Sequence, residues 1–441
     1  MSATALATDL YQLTMMAGYF AAGRHASTTA SFELFVRRLP AGRVFLIAAG
    51  LDPFVEFLQR LHFDDEEIEQ LRHEASLSAL PRAFFEYLRR LRFTGEVVAV
   101  PEGTPVFANE PILRVTASIG EAQLVETAAL AFLNFQTSIA SKAARVVLAA
   151  DGRPIYEFGA RRAHGLDAAL FAARAAYLAG CAGTSFVEAG VRFGIPLSGT
   201  MAHSWVLAAT DESSAFRAYQ ELYGPRSVLL LDTYDTIAAT RALIGSGLKP
   251  AGVRLDSGDL LQVSREVRRL LDTGGLEKTK IIASGDLDEF SITALLSERA
   301  PIDAFGVGTS IVTSIDAPAL GGVYKLVELV EGGTVRRVRK TSPDKATWPG
   351  AKQIWRVLHD GKATRDIVAF EEERAPASAV PLLQSVVRNG RRVQPGPQLI
   401  ESRAACAAKI AELPADFYTV DSTSVYEVVP SEPLRRALDT A

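Results

Sequence analysis

In residues 251–271, AGVRLDSGDLLQVSREVRRLL, a short apolar run stops at the polar knot Asp256-Ser-Gly-Asp259 and a helix-length stretch follows, with apolar residues at helical spacing. The same grammar recurs in Arg153-PIYEFGARR, Ile195-PLSGTMAHS, Ser227-VLLLDTYDT, Lys280-IIASGD and Ile302-DAFGVGTS. Each apolar part is β-branched or leucine-rich and unrelieved by polar alternation, as expected of a strand buried on both faces. Strand, polar loop and helix repeated in this way predict parallel βα units. In such folds the strand C-termini converge on one rim, so the knots are expected to meet in one site.

The 441-residue chain is long for a single core, which predicts two or three domains. Residues 1–125 read as an N-terminal mixed α/β domain: a helix in Leu10-YQLTMMAGYFAAG opened by Thr8 and Asp9, a strand ending at Pro40, and short strands punctuated by Gly103, Pro105 and Pro111. A long apolar helical stretch then links it, to about residue 150, to the repeated units of 151–330. Residues 331–441 hold short strands, charge clusters and Pro/Gly breaks, and read as a C-terminal extension, partly β. The predicted fold class is therefore α/β, an irregular, incomplete α/β barrel with an N-terminal α/β domain and a small β-rich C-terminal region.

Hydrophobic residues make up 48% and charged residues 22%, a globular balance, and a net charge of -4 with pI near 6.0 argues against nucleic acid or an anionic membrane as partner. Cys181 and Cys406 are far apart and lack metal-ligand spacing, which excludes a disulfide scaffold and points to a reducing, cytoplasmic setting. No signal-peptide pattern precedes Thr8, and Val44-FLIAAGL is too short to span a bilayer.

Among the six histidines, His203 stands in a strand-end knot beside Gly199, Thr200 and Ser204. It suits a general base, metal ligand or nucleophile, and the absence of a neighbouring histidine spacing lowers the metal option. A reactive histidine needs its far ring nitrogen held, usually by a carboxylate. The adjacent knot offers Asp232 and Asp235; Asp232 is the better candidate, because Asp235 also reads as a helix N-cap. Arg254 and Asp256 share one face of an extended strand. Either they form a structural ion pair, or Arg254 grips a planar anion while Asp256 faces developing cationic charge or a metal-bound phosphate. Ser284-Gly-Asp and Phe305-Gly-Val-Gly-Thr-Ser310 are glycine turns after consecutive strands, the pattern of a barrel phosphate site. Arg161 and Arg162 add positive charge to the same rim. Together these groups suit a substrate bearing several phosphates. Walker and Rossmann glycine patterns are missing.

Thr8-Asp-Leu-Tyr-Gln-Leu-Thr14, Phe158-Gly-Ala-Arg-Arg162, Gly199-Thr-Met-Ala-His203, Arg254-Leu-Asp-Ser-Gly-Asp259, Gly306-Val-Gly-Thr309, Lys340-Thr-Ser-Pro-Asp-Lys345 and Pro349-Gly-Ala-Lys-Gln353 occur in this order. The set resembles the nicotinate phosphoribosyltransferase family, with its type II phosphoribosyltransferase fold. The resemblance implies transfer of the phosphoribosyl group from phosphoribosyl pyrophosphate to nicotinate, giving nicotinate mononucleotide and pyrophosphate in NAD salvage. It implies coupling to ATP hydrolysis through a phosphohistidine at His203, with Asp232 as orienting carboxylate, and Mg2+ as cofactor, its ligands unassigned. Tyr11, Thr200 and Arg254 match nicotinate-holding positions. Gly285, Gly306, Gly308 and Thr309 match positions around the ribose 5-phosphate or the phosphohistidine. Small-molecule partners and a homodimer with shared active sites, Tyr11 acting across it, are implied as well. The nearest alternative is a nicotinamide phosphoribosyltransferase. A sugar-phosphate aldolase or isomerase is disfavoured, since no knot contains an internal lysine.

Overall fold

The computed structural model describes residues 4–342 and 345–439; Pro343 and Asp344, within one of the family-like stretches, lie outside the described residues. Two compact units form. The second, Ile139–Pro318 with Tyr418–Asp421, carries a six-stranded parallel sheet. Its strands are β1 (Ile155–Glu157), β2 (Gly183–Thr184), β3 (Val228–Leu230), β4 (Gly252–Leu255), β5 (Lys280–Ala283) and β6 (Ala304–Val307). Their order in the sheet is β2-β1-β6-β5-β4-β3, every neighbouring pair being parallel. Sequence neighbours are thus mostly sheet neighbours, and the sheet stays open between β2 and β3. This is the curled, incomplete α/β barrel that the alternation of runs and knots predicted.

One run behaves differently. Ile195-PLS was expected to be a strand, yet only Leu197 bridges, in parallel, to Thr184. Pro196 has no N–H to give to a ladder, which suits it to the open margin. The sixth strand is instead Gly183–Thr184, whose two residues offer no apolar run to read.

The parallel strands form because consecutive residues can bury on both faces. Leu229, Leu230, Val253, Leu255, Ile281, Ala283, Phe305 and Val307 are all fully buried. On β4, Arg254 lies between buried Val253 and Leu255, so its side chain takes the opposite face, in register with Leu230 and Ile282. Three of the helices that follow start on an acidic cap. Asp235 accepts the Ala238 N–H at 2.8 Å, Asp259 the Gln262 N–H at 3.1 Å, and Asp288 the Ser291 N–H at 2.8 Å. These acids satisfy orphan donors of the first turn. The earlier acids Asp232, Asp256 and Asp286 are thereby left for other work.

The first unit gathers the described residues within Met1–Ser138, Ala319–Phe417 and Ser422–Ala441. Its seven-stranded sheet runs Thr334–Arg337, Gly322–Glu331, Thr28–Val36, Leu113–Ser118, Glu96–Ala99, Gln384–Arg388, Arg391–Arg392, antiparallel throughout. Residues beyond 319 therefore complete the N-terminal sheet, and a four-stranded sheet built on Lys352–His359 and Lys362–Phe370 adds to the same unit. The core holds Phe54, Phe84, Leu88, Leu113 and Val115. Two buried ion pairs cross it, Lys352 to Glu33 at 2.8 Å and Arg356 to Asp366 at 2.6 Å. The C-terminal region is not β alone: Leu399–Ala411 and Glu432–Asp439 are helices. Among the described residues no helix is long and apolar enough to cross a membrane.

Candidate active site

At the C-terminal rim of the parallel sheet a polar cavity of about 260 Å³ is lined by groups from four of the knots. Phe158, Arg161 and Arg162 follow β1; Arg254 and Asp256 come from β4; Ser284, Gly285 and Asp286 follow β5; Gly306, Gly308 and Thr309 belong to the turn at the end of β6. Convergence on one rim, the expectation drawn from strand polarity, holds for all of these.

Arg254 is the hub. Its Nε donates to Ser284 Oγ at 2.8 Å, Nη1 to Thr200 Oγ1 at 2.9 Å, and Nη2 to Asp256 Oδ1 at 2.7 Å. Ser284 Oγ also donates to Asp256 Oδ1 at 2.5 Å. The i, i+2 ion pair allowed by strand geometry is therefore formed, and the guanidinium is fixed in a planar fork. Three of its five N–H groups are engaged in this way, and Nη1 also lies 3.5 Å from the Met201 carbonyl oxygen. Burial pushes the Asp256 carboxyl up, but hydrogen bonds from Arg254 and Ser284 and the Arg254 charge outweigh it, so Asp256 stays below the ordinary carboxylate range.

His203 opens the short helix His203–Leu207 beside this hub, with its side chain 40% exposed. Its Nε2 lies 3.8 Å from Asp256 Oδ2, and its Nδ1 is 3.2 Å from Thr233 Oγ1. Asp232, expected to orient the ring, has other work: one oxygen accepts the Asp256 N–H at 3.0 Å and the Ser257 hydroxyl at 2.5 Å. The physical reason is its place directly after β3, beside the turn that follows β4. Its side chain meets that turn before it meets the imidazole, and the next residue, Thr233, takes the ring nitrogen. The other Asp232 oxygen is buried without a hydrogen-bond partner. Glu212, at the start of Glu212–Tyr223, feels the same pair of acids: burial first, then the charges of Asp235 and Asp232, push its carboxyl up to about 7.

Glycine is required at the end of the cavity formed by the turns after β5 and β6. A Cβ on Gly306 would lie 2.4 Å from Phe158 Cδ2, and Gly285 has φ +116, with a Cβ there 2.7 Å from the Asp256 carbonyl oxygen. Phe158, held on Gly306, places its ring 6.0 Å from the Arg254 guanidinium.

Of the residues singled out in the sequence, Arg161, Arg254, Asp256, Gly285, Gly306, Gly308 and Thr309 line one cavity. Thr200 joins through Arg254, and His203 through Asp256. Tyr11 belongs to the first unit, on the helix Leu10–Ala21, and is 48% exposed. Sequence reasoning missed Thr233, Asp286 and Phe158 as participants. Asp286 was recoverable: it is the acid left over once Asp288 caps the following helix. Among the described residues there is no group of three or more His, Cys, Asp or Glu placed to hold a metal ion.

Comparison with known proteins gives a consistent picture. The family models for the nicotinate phosphoribosyltransferase (NAPRTase) N-terminal domain, the NAPRTase family and the nicotinate phosphoribosyltransferase C-terminal domain match residues 6–134, 154–354 and 375–438. A nicotinate phosphoribosyltransferase of Mycobacterium tuberculosis is 46% identical over 436 residues, covering 97% of this chain and 92% of the relative. One of Bacillus subtilis is 44% identical over 380 residues, covering 84% and 76%. The crystal structure of human nicotinic acid phosphoribosyltransferase superposes with a TM-score of 0.85 at 31% identity, covering 98% of this chain and 99% of that one.

Proposed function

The chain belongs to the nicotinate phosphoribosyltransferase family, and on that premise we propose that it transfers the phosphoribosyl group from phosphoribosyl pyrophosphate to nicotinate, with ATP hydrolysis coupled through a phosphohistidine at His203. The observation that carries this reading is the single cavity in which Arg161, Arg162, Arg254 and two glycine turns face one another. An anionic sugar bearing a monophosphate and a pyrophosphate needs this distribution of positive charge and of backbone free of side chains.

The pyridine nitrogen is itself the nucleophile, so the protein has to align reactants and stabilise charge. Displacement at the anomeric carbon passes through an oxocarbenium-like state. Asp256, kept ionised by Arg254 and Ser284, offers a fixed negative charge to that cation. Gly285, Gly306, Gly308 and Thr309 hold the 5-phosphate, and Arg161 with Arg162 meets the pyrophosphate. Thr200 and Arg254, already joined at 2.9 Å, receive the nicotinate carboxylate, the Thr200 hydroxyl giving up its Nη1 contact. An uncharged carboxamide forgoes a charge-assisted bond of about 1.5–3 kcal/mol, which favours acid over amide. Tyr11 closes over the pyridine in a homodimer, acting on the neighbouring protomer's site.

Asp256 and Asp286 are the carboxylates lining the cavity, a donor set that fits Mg2+ shared with substrate phosphates and water better than a protein cage. When bound, the ion neutralises charge on the departing pyrophosphate. In the ATP half of the cycle, the exposed His203 ring is the phosphoryl acceptor, with Thr233 holding Nδ1 and Asp232 bracing the turn that carries Asp256.

The test is pyrophosphate release on mixing phosphoribosyl pyrophosphate with nicotinate, with nicotinamide offered in competition. Release with nicotinate and little with nicotinamide supports the proposal; preference for nicotinamide or no release overturns it.

A further inference from the structure

Behind the cavity wall sits a carboxylate that touches none of the cavity's space. Glu157, the last residue of β1, is 1% exposed, and both its oxygens are taken by donors of its own rim. Oε1 accepts the Gly159 N–H, and Oε2 accepts the Thr184 hydroxyl at 2.6 Å. Thr184 Oγ1 in turn accepts the Phe186 N–H at 3.0 Å, and the Glu157 carbonyl accepts the Ser185 N–H at 3.0 Å. The β1 end is thereby tied to the end of β2.

Gly159 passes this constraint on. Its carbonyl accepts the Arg162 N–H at 2.7 Å and the Ala163 N–H at 3.2 Å, closing the single turn Ala160–Arg162 whose two arginines line the cavity. The glycine has no room to swing: a Cβ there would lie 2.4 Å from Val312 Cγ1 and 2.8 Å from the Gly308 carbonyl oxygen. The other end of the pivot, its N–H, is held by Glu157. Burial pushes the Glu157 carboxyl up, opposed by the bonds from Thr184 and Gly159.

Resting on the reading of this cavity as the phosphoribosyl pyrophosphate site, we propose that Glu157 is a positioning residue that aims the Arg161–Arg162 turn at the substrate's phosphates through Gly159. It touches no substrate. Its carboxylate fixes the peptide from which both guanidinium groups are hung, so its loss is felt in substrate affinity at one end of the site only.

The experiment measures KM for both substrates and kcat in Glu157→Ala, Glu157→Asp and Glu157→Gln. Alanine removes both acceptors, and aspartate falls one methylene short of reaching them. In both, KM for phosphoribosyl pyrophosphate is expected to rise about tenfold or more while KM for nicotinate stays within about twofold. Glutamine keeps an acceptor for Gly159 N–H, and its Nε2 donates to Thr184 once that hydroxyl rotates; it is expected to restore KM to within about threefold. If Glu157→Ala does not fold, the aspartate variant carries the same prediction. A fall in kcat with both KM values unchanged overturns the proposal, because it reports only lost folded enzyme. Glutamine as impaired as aspartate also overturns it, since charge and not acceptor geometry would then matter. Arg161→Ala with Arg162→Ala separates the two levels. If that double variant leaves KM for phosphoribosyl pyrophosphate unchanged, the reading of the cavity fails. If it raises KM while Glu157→Asp does not, only the role of Glu157 fails.

Discussion

Replacing Arg254 by alanine removes the hub of the site, and the structure sets the size of the effect. Three side-chain bonds go at once, to Ser284, Thr200 and Asp256. On the proposed function the nicotinate carboxylate also loses its cationic partner, a charge-assisted interaction of about 1.5–3 kcal/mol. At 1.4 kcal/mol per decade, nicotinate affinity falls roughly tenfold to a hundredfold or slightly more. Phosphoribosyl pyrophosphate, which the proposed function places against the two arginines after β1 and the glycine turns, is expected to lose much less. The same change removes the Arg254 bond and charge that help keep Asp256 acidic, leaving the Ser284 bond to oppose its burial. In the parent protein its carboxyl lies below the ordinary range, so it remains ionised as pH falls, and its stabilising contribution is lost only as pH drops through that depressed value. Without Arg254 the Asp256 carboxyl shifts upward, and the acid limb of the kcat/KM profile moves to higher pH. Arg254→Lys keeps charge but not the fork, and is expected to recover only part of the nicotinate affinity. Initial-rate kinetics over a matrix of both substrates, repeated across pH, measures every part of this. Equal losses for the two substrates, with an unmoved acid limb, would refute the reasoning and leave Arg254 a purely structural ion-pair residue.

His203→Ala is expected to keep some phosphoribosyl transfer while losing ATP-coupled turnover; acid-labile phosphate formed from ATP on that variant would remove the histidine from the assignment. Gly306→Ala brings a methyl to 2.4 Å from Phe158, and overpacking of this kind costs about 1–3 kcal/mol, visible as a lower Tm together with weaker phosphoribosyl pyrophosphate binding. Glu212 titrates at about 7 in the folded protein against an ordinary value of 4.5, so the native state binds its proton more tightly. Its contribution is full below about 4.5 and is lost as pH rises through about 7; Glu212→Gln should therefore show a flatter fall in Tm over that window, and parallel curves would contradict it.

The barrel was legible because burial on both faces leaves an uninterrupted mark, as in Ser227-VLLL and Lys280-IIA. Gly183–Thr184 left none: a strand of two small residues is set by its neighbours β1 and Leu197. The Arg254–Asp256 pair was legible from period two alone, since it needs only one strand. His203 with Asp232 was not, because which residue of a knot meets a ring on another loop depends on how the two loops fold. Here Asp232 turns to the Asp256 peptide and Thr233 reaches the imidazole. Asp235, Asp259 and Asp288 each cap the helix that follows, which leaves Asp286, nearer its strand, as the acid without a capping role. Glu157 could not have been found this way, for nothing in its spacing reveals that its partners are Gly159 and Thr184.

The most direct test of the account is a crystal structure with nicotinate mononucleotide bound. The account predicts the 5-phosphate against Gly285, Gly306, Gly308 and Thr309, the pyridine carboxylate on Arg254 and Thr200, and Arg161 facing the side from which pyrophosphate leaves. A product molecule seated elsewhere, for example in the cavity beside Asp52 and Arg392 of the first unit, would contradict it.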